Sequence, residues 1–133
     1  MKYLFILSSL FILTFSQSCK KKSNYLLDHT KPLITIVEPV INDTLNLSLD
    51  PEVHIEFTTT DETALHTLSI SVLQNGNTIF SEAPDVTNLK VYAYHEHFIP
   101  NSITSITPIK AIIKATDFGG NEEIKEVDFF VKP

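Results

Sequence analysis

The chain has 133 residues with a formal charge of −6, from 16 acidic residues against 10 basic ones. Every basic residue is a lysine, so there is no guanidinium fork for phosphate or guanine, and an acidic, arginine-free chain excludes nucleic acid as a partner class. One cysteine and three glycines also exclude an internal disulfide and the glycine-rich loops that cradle cofactor phosphates.

The first element is a secretory signal over residues 1–18. Lys2 supplies its positive start, Tyr3–Phe15 is an almost unbroken apolar run of about 13 residues, and small residues follow at Ser16 and Ser18. That run is well short of the roughly 20 residues a helix needs to cross a bilayer. Ser16-Gln17-Ser18-Cys19 resembles a lipobox, in which the cysteine is diacylated and becomes the mature N-terminus. The resemblance implies palmitate-type acylation of Cys19 and a lipoprotein of the outer membrane, facing the periplasm. Loss of Lys2 takes the charge from −6 to −7.

Residues 19–30 form a tether, in which Lys20-Lys21-Lys22-Ser23-Asn24 either draws toward anionic headgroups or, the favoured reading, is a solvated spacer that keeps the domain clear of the membrane. Residues 31–133 form one domain, a normal size for a single core. Its strands follow in order. Leu33–Val37 ends at Glu38-Pro39, and Thr44–Leu49 is a weak, polar run ending at Asp50-Pro51. Val53–Thr59 alternates apolar and polar with period two, as a half-buried strand does. Leu65–Gln74 turns through Asn75-Gly76, a strong hairpin signal, into Thr78–Phe80. Leu89–Ile99 is a long strand. In Ile109–Ala115 the apolar residues take one face and the lysines the other; after Gly119-Gly120-Asn121 the last strand carries Val127, Phe129 and Val131 inward.

No stretch of the mature chain holds a helical period for more than about two turns. The expectation is an all-β fold, an antiparallel β-sandwich of about seven strands. Ile55, Phe57, Leu68, Ile70, Val72, Ile113, Ala115, Val127 and Phe129 should share its core.

Ile113-Lys114-Ala115-Thr116-Asp117-Phe118-Gly119-Gly120-Asn121 resembles the penultimate strand and hairpin of bacterial immunoglobulin-like domains. Lys31-Pro32-Leu33-Ile34-Thr35-Ile36 resembles their opening strand. The plan, including His95-Glu96-His97, is similar to that of small lipoproteins of Bacteroidetes-type bacteria that carry such a domain. The resemblance covers nearly all of the mature chain and implies an immunoglobulin-like sandwich. Its motifs are turn chemistry, so they speak for fold before function.

Candidate chemistry is sparse. A seven-strand sandwich gathers alternate loops at the end where the chain arrives, which would assemble Asp28, Asp61, Glu62, Asp85, Asp117 and Asn121. Oxygens converging there suit a hard cation such as Ca²⁺. The competing and favoured reading is that Asp117 and Asn121 bond their own backbone around Gly119 or Gly120 at positive φ, so that calcium stabilises nothing. His95 and His97 stand two apart on a strand, hence on one face, and make half a transition-metal site. Tyr92 and Tyr94 share a face on which sugars could stack, though cross-sheet packing is the commoner use of such a pair. Asp43-Thr44-Leu45 resembles the acceptor for O-linked glycosylation of exported Bacteroidetes proteins, which would place Thr44 on the surface. No nucleophile elbow or Cys–His pair is present. The expectation is a non-enzymatic module without a cofactor, held to the membrane by lipid on Cys19, with a protein or polysaccharide partner in the envelope. A calcium- or carbohydrate-binding accessory protein is the alternative.

Overall fold

The structure is a computed structural model in which residues 28–133 are described; the signal, Cys19 and the lysine tether lie outside them. The described residues hold eight strands and no helix. These are β1 (Leu33–Glu38), β2 (Thr44–Asn46), β3 (Val53–Thr60), β4 (Leu65–Gln74), β5 (Asn77–Glu82), β6 (Val91–Phe98), β7 (Thr107–Asp117) and β8 (Glu122–Lys132). One sheet has the order β1-β3-β6 and the other β2-β8-β7-β4-β5. This is an all-β immunoglobulin-like sandwich, and each of the eight runs read as strands from the sequence is one.

Period-two alternation does most of the building. Val53, Ile55, Phe57 and Thr59 of β3 are buried while the residues between them face outward. On β7 the buried set is Ile109, Ala111, Ile113, Ala115 and Asp117, and on β8 it is Val127, Phe129 and Val131. All nine residues expected in the core are in it. In β4, Leu65 and Leu68 are both buried although three apart. The ladder to β7 slips between Leu65 and Thr67, and this bulge at His66 returns the later residues to the inward face.

Pairing departs from the all-antiparallel expectation at one place. Pro39 cannot donate to the β1–β3 ladder, and the chain leaves that sheet for the other. There β2 runs parallel to β8, Thr44 opposite Phe130 and Asn46 opposite Lys132. The strand is also shorter than expected. Asn46 Oδ1 accepts the Ser48 N–H at 3.0 Å, and this Asx turn ends β2 before Leu47. Strand β6 likewise begins at Val91 and not at Leu89, because the Leu89 N–H closes a turn on the Val86 carbonyl. Asn75 (φ 51°) and Gly76 (φ 79°) both adopt positive φ, as a two-residue hairpin of type I′ requires.

Aromatic side chains lock the sheets together. Phe57 and Tyr94 face each other across β3 and β6, stacked with ring centroids 5.0 Å apart. The Tyr94 hydroxyl donates to Glu82 Oε2 at 2.7 Å, which ties β6 to β5 of the opposite sheet. Phe80 stacks on Phe98 beside it. Tyr94 is thus buried and committed to packing, and Tyr92 packs against the core, so the pair is no sugar platform.

Burial first, then the Glu82 carboxylate, pushes the Tyr94 phenol well above its ordinary range. A raised pKa in the folded state means that its stabilisation is complete below the unfolded value of about 10 and is lost as pH rises above it. Alkaline denaturation should therefore be steeper for the wild type than for Tyr94→Phe. Melting curves between pH 9 and 11 check this, and parallel curves would count against it.

Candidate functional site

Two side-chain clusters emerge from this architecture, at different places on the sandwich. The first lies where the chain arrives. The β3–β4 loop brings Asp61, the β7–β8 turn brings Asp117 and Asn121, and the N-terminal segment brings Asp28. One carboxylate oxygen from each of Asp28, Asp61 and Asp117 lies within 4.8 Å of the others. Asp61 is 7% exposed and Asp117 is 1% exposed, so two of these charges are largely cut off from water.

Each aspartate also organises backbone. Asp117 Oδ1 accepts the Asn121 N–H at 2.8 Å and its Oδ2 accepts the Asn121 amide at 2.7 Å. That amide also donates to the Asp28 carbonyl at 3.0 Å, so the hairpin holds the arriving chain. Gly120 sits at φ 85°, which fits a turn closed around glycine. Asp61 Oδ1 accepts the N–H groups of Thr63 and Ala64 and the Thr63 hydroxyl. The same hydroxyl also lies 2.5 Å from Asp28 Oδ2. The Thr63 hydroxyl and then the Thr30 N–H hold the Asp28 carboxyl below its usual range.

Turn closure accounts for much of this cluster but not for all of it. Asp61 Oδ2 is buried without a hydrogen-bond partner. None of the three carboxylates forms an ion pair with another described residue. Two residues expected at this pole play other parts. Glu62 is exposed, and only its carbonyl is engaged, by Lys90 Nζ at 2.7 Å. Asp85 accepts the Thr87 N–H within its own loop and does not join the cluster.

The second cluster is on the outer face of the three-stranded sheet. In the β3–β6 ladder His54 lies opposite His97 and Glu56 opposite His95. One ring nitrogen from each of His54, His95 and His97 lies within 4.8 Å of the others. The sequence offers the His95–His97 pair but leaves His54 apart, and only the pairing of β3 with β6 supplies the third ring. Beside it, Asp50 Oδ2 lies 3.3 Å from His54 Nε2. A groove of about 370 Å³, lined by residues including Val40, Asp43, Thr44, Leu49, Asp50 and His54, runs past this corner. Thr44 is exposed on β2, as a glycosylation acceptor needs to be.

Comparison with known proteins adds only fold. No protein-family model matches the chain, and no curated protein does. Among solved structures, an engineered protein superimposes with a TM-score of 0.51 at 11% identity, over 77% of this chain and 20% of that one. The chain thus spans about a fifth of that protein's length. The fibronectin(III)-like modules of Clostridium thermocellum CbhA align at 18% identity with a TM-score of 0.43, over 75% of this chain and 96% of theirs. The likeness to the first of these shows the fold alone, a two-sheet β-sandwich.

Proposed function

We propose that this protein is a non-catalytic lipoprotein of the cell envelope. In this reading, acylated Cys19 anchors the domain to the outer membrane on a lysine-rich tether, and the sandwich serves as a binding or structural module on the periplasmic side. The observation that carries it is the fixed arrival of the chain at the acidic pole. Asp28 is pinned there by Thr63 and Asn121, nine residues after Cys19. A nine-residue tether reaches at most about 30 Å, which keeps that pole near the bilayer and turns the opposite end outward. Two or three acyl chains supply stable anchoring where one does not.

The test is metabolic labelling with a fatty-acid analogue, followed by membrane fractionation. Wild-type protein should carry label and partition with membranes, whereas Cys19→Ala should carry none. Equal label on both, or an intact mass that retains residues 1–18, would end the proposal.

A second reading, favoured by Asp61 Oδ2, adds a hard cation at the same pole. Calcium takes six to eight oxygens at about 2.3–2.6 Å. Asp28, Asp61 and Asp117 offer three carboxylates, the Thr63 hydroxyl and the Asp28 carbonyl adjoin them, and water completes such a shell. A cation there would give the buried oxygen its missing partner and offset the repulsion among the three charges. The cluster would then stiffen the junction between tether and domain.

A further inference from the structure

We propose that His54, His95 and His97 form a binding site for a borderline divalent transition metal, with Zn²⁺ as its best-matched ion and Asp50 as its positioning carboxylate. This site is separate from the acidic pole and does not rest on the reading given for it. The ligand chemistry differs as well, since imidazole nitrogen suits Zn²⁺, Cu²⁺ or Ni²⁺ and not Ca²⁺.

The distances support metal better than a hydrogen bond. His54 Nδ1 and His95 Nε2 are 3.4 Å apart, beyond the usual range of about 2.7–3.2 Å for a hydrogen bond donated by N–H to oxygen. Two nitrogens bound to one tetrahedral zinc, each at about 2.0–2.1 Å, stand roughly 3.3–3.4 Å from each other. The third ring completes a compact triangle, with centroids 5.1 Å (His54–His97) and 5.5 Å (His95–His97) apart.

The outer partner fits too. Asp50 Oδ2 lies 3.3 Å from Nε2 of His54, behind the ring whose Nδ1 approaches His95. A carboxylate behind a ligating imidazole is the usual way of setting its tautomer and raising its basicity. The sheet supplies the rigidity, because His54 and His97 are directly cross-strand and His95 is one pleat further along β6. His95 and His97 are exposed and His54 is half-buried, so the fourth position opens to solvent. Three protein ligands with an open fourth position can take water or a donor atom from a partner.

The test uses the full lipoprotein, purified in detergent without a histidine tag and alkylated to silence any free thiol. Zn²⁺ is titrated in competition with a chromogenic chelator, and Co²⁺ is added in parallel for its visible spectrum. The wild type should bind one equivalent of Zn²⁺ tightly and give the intense absorption of four-coordinate Co²⁺. His95→Ala and His97→Ala should each abolish both signals. Asp50→Asn should weaken zinc by about tenfold to a hundredfold while keeping the one-to-one stoichiometry. His29→Ala and His66→Ala should bind as the wild type does, and excess Ca²⁺ should not compete. The two ligand variants should melt with the wild type in chelator, since both side chains are exposed and surface changes cost little, so that lost binding is not lost folding. Absence of a tight equivalent in the wild type, or its retention in the His95→Ala, His97→Ala double variant, would overturn the proposal.

Discussion

Replacing Phe57 by alanine is expected to destabilise the domain by about 3–5 kcal/mol, a large part of what holds a domain of this size together. The ring is 1% exposed and packs face to face on Tyr94, so its loss removes buried apolar surface, leaves a cavity and strips Tyr94 of its stacking partner. Tyr94 also carries the hydroxyl bond to Glu82 across the sheets, and a loosened ring weakens that tie. Phe129, fully buried on β8 of the other sheet, should cost a similar amount. A single cysteine leaves no internal disulfide, so packing must carry the stability. A melting temperature lower by more than about 10 °C is expected for each variant. An unchanged melting temperature for either would mean that the buried face of its strand is wrongly placed, because a slip of one residue exposes every inward side chain.

On the second reading of the acidic pole, calcium at a hundred times its dissociation constant should stabilise the wild-type protein by about 2.7 kcal/mol, since an ion bound only by the folded state raises stability by mass action. The Asp61→Asn variant separates this from a purely structural turn. Asp61 uses Oδ1 for all three of its hydrogen bonds, while Oδ2 has no partner. An asparagine keeps the accepting oxygen and puts an NH₂ donor where the orphan oxygen was. In chelator the variant should therefore be as stable as the wild type or more so, because one of three crowded charges is gone. In calcium the order should reverse, the wild type gaining and the variant staying where it was. Thermal melts of the detergent-purified protein, with calcium and then with chelator, measure both arms. A wild type that does not respond to millimolar calcium would return the cluster to turn closure, with Asp117 and Asn121 as its hinge.

Much of this molecule is legible along the chain. Alternation of period two is a local property, since successive side chains of a strand point to opposite faces. Ile55 and Phe57, Ile113 and Ala115, and Val127 and Phe129 could thus be assigned inward without knowing what they meet. Dihedral demands are equally local. Asn75-Gly76 and Gly120 are residues that tolerate positive φ, and they stand where the backbone turns. The acidic pole was partly legible as well, because the number of strands between two loops decides which end of a sandwich each occupies. Tertiary structure alone decided the rest. That β2 runs parallel to β8 follows from Pro39 sending the chain to the far sheet, and nothing in Thr44–Asn46 announces its partner. The bulge at His66 appears only against the β7 register. His54 joins His95 and His97 across 41 residues of chain or more, and the Asp28 carbonyl meets Asn121 across 93. Contacts at such separations are set by which strands pair and in what register. That is a property of the packed sheets as a whole, so no local pattern in the sequence encodes the histidine triad or the buried oxygen of Asp61.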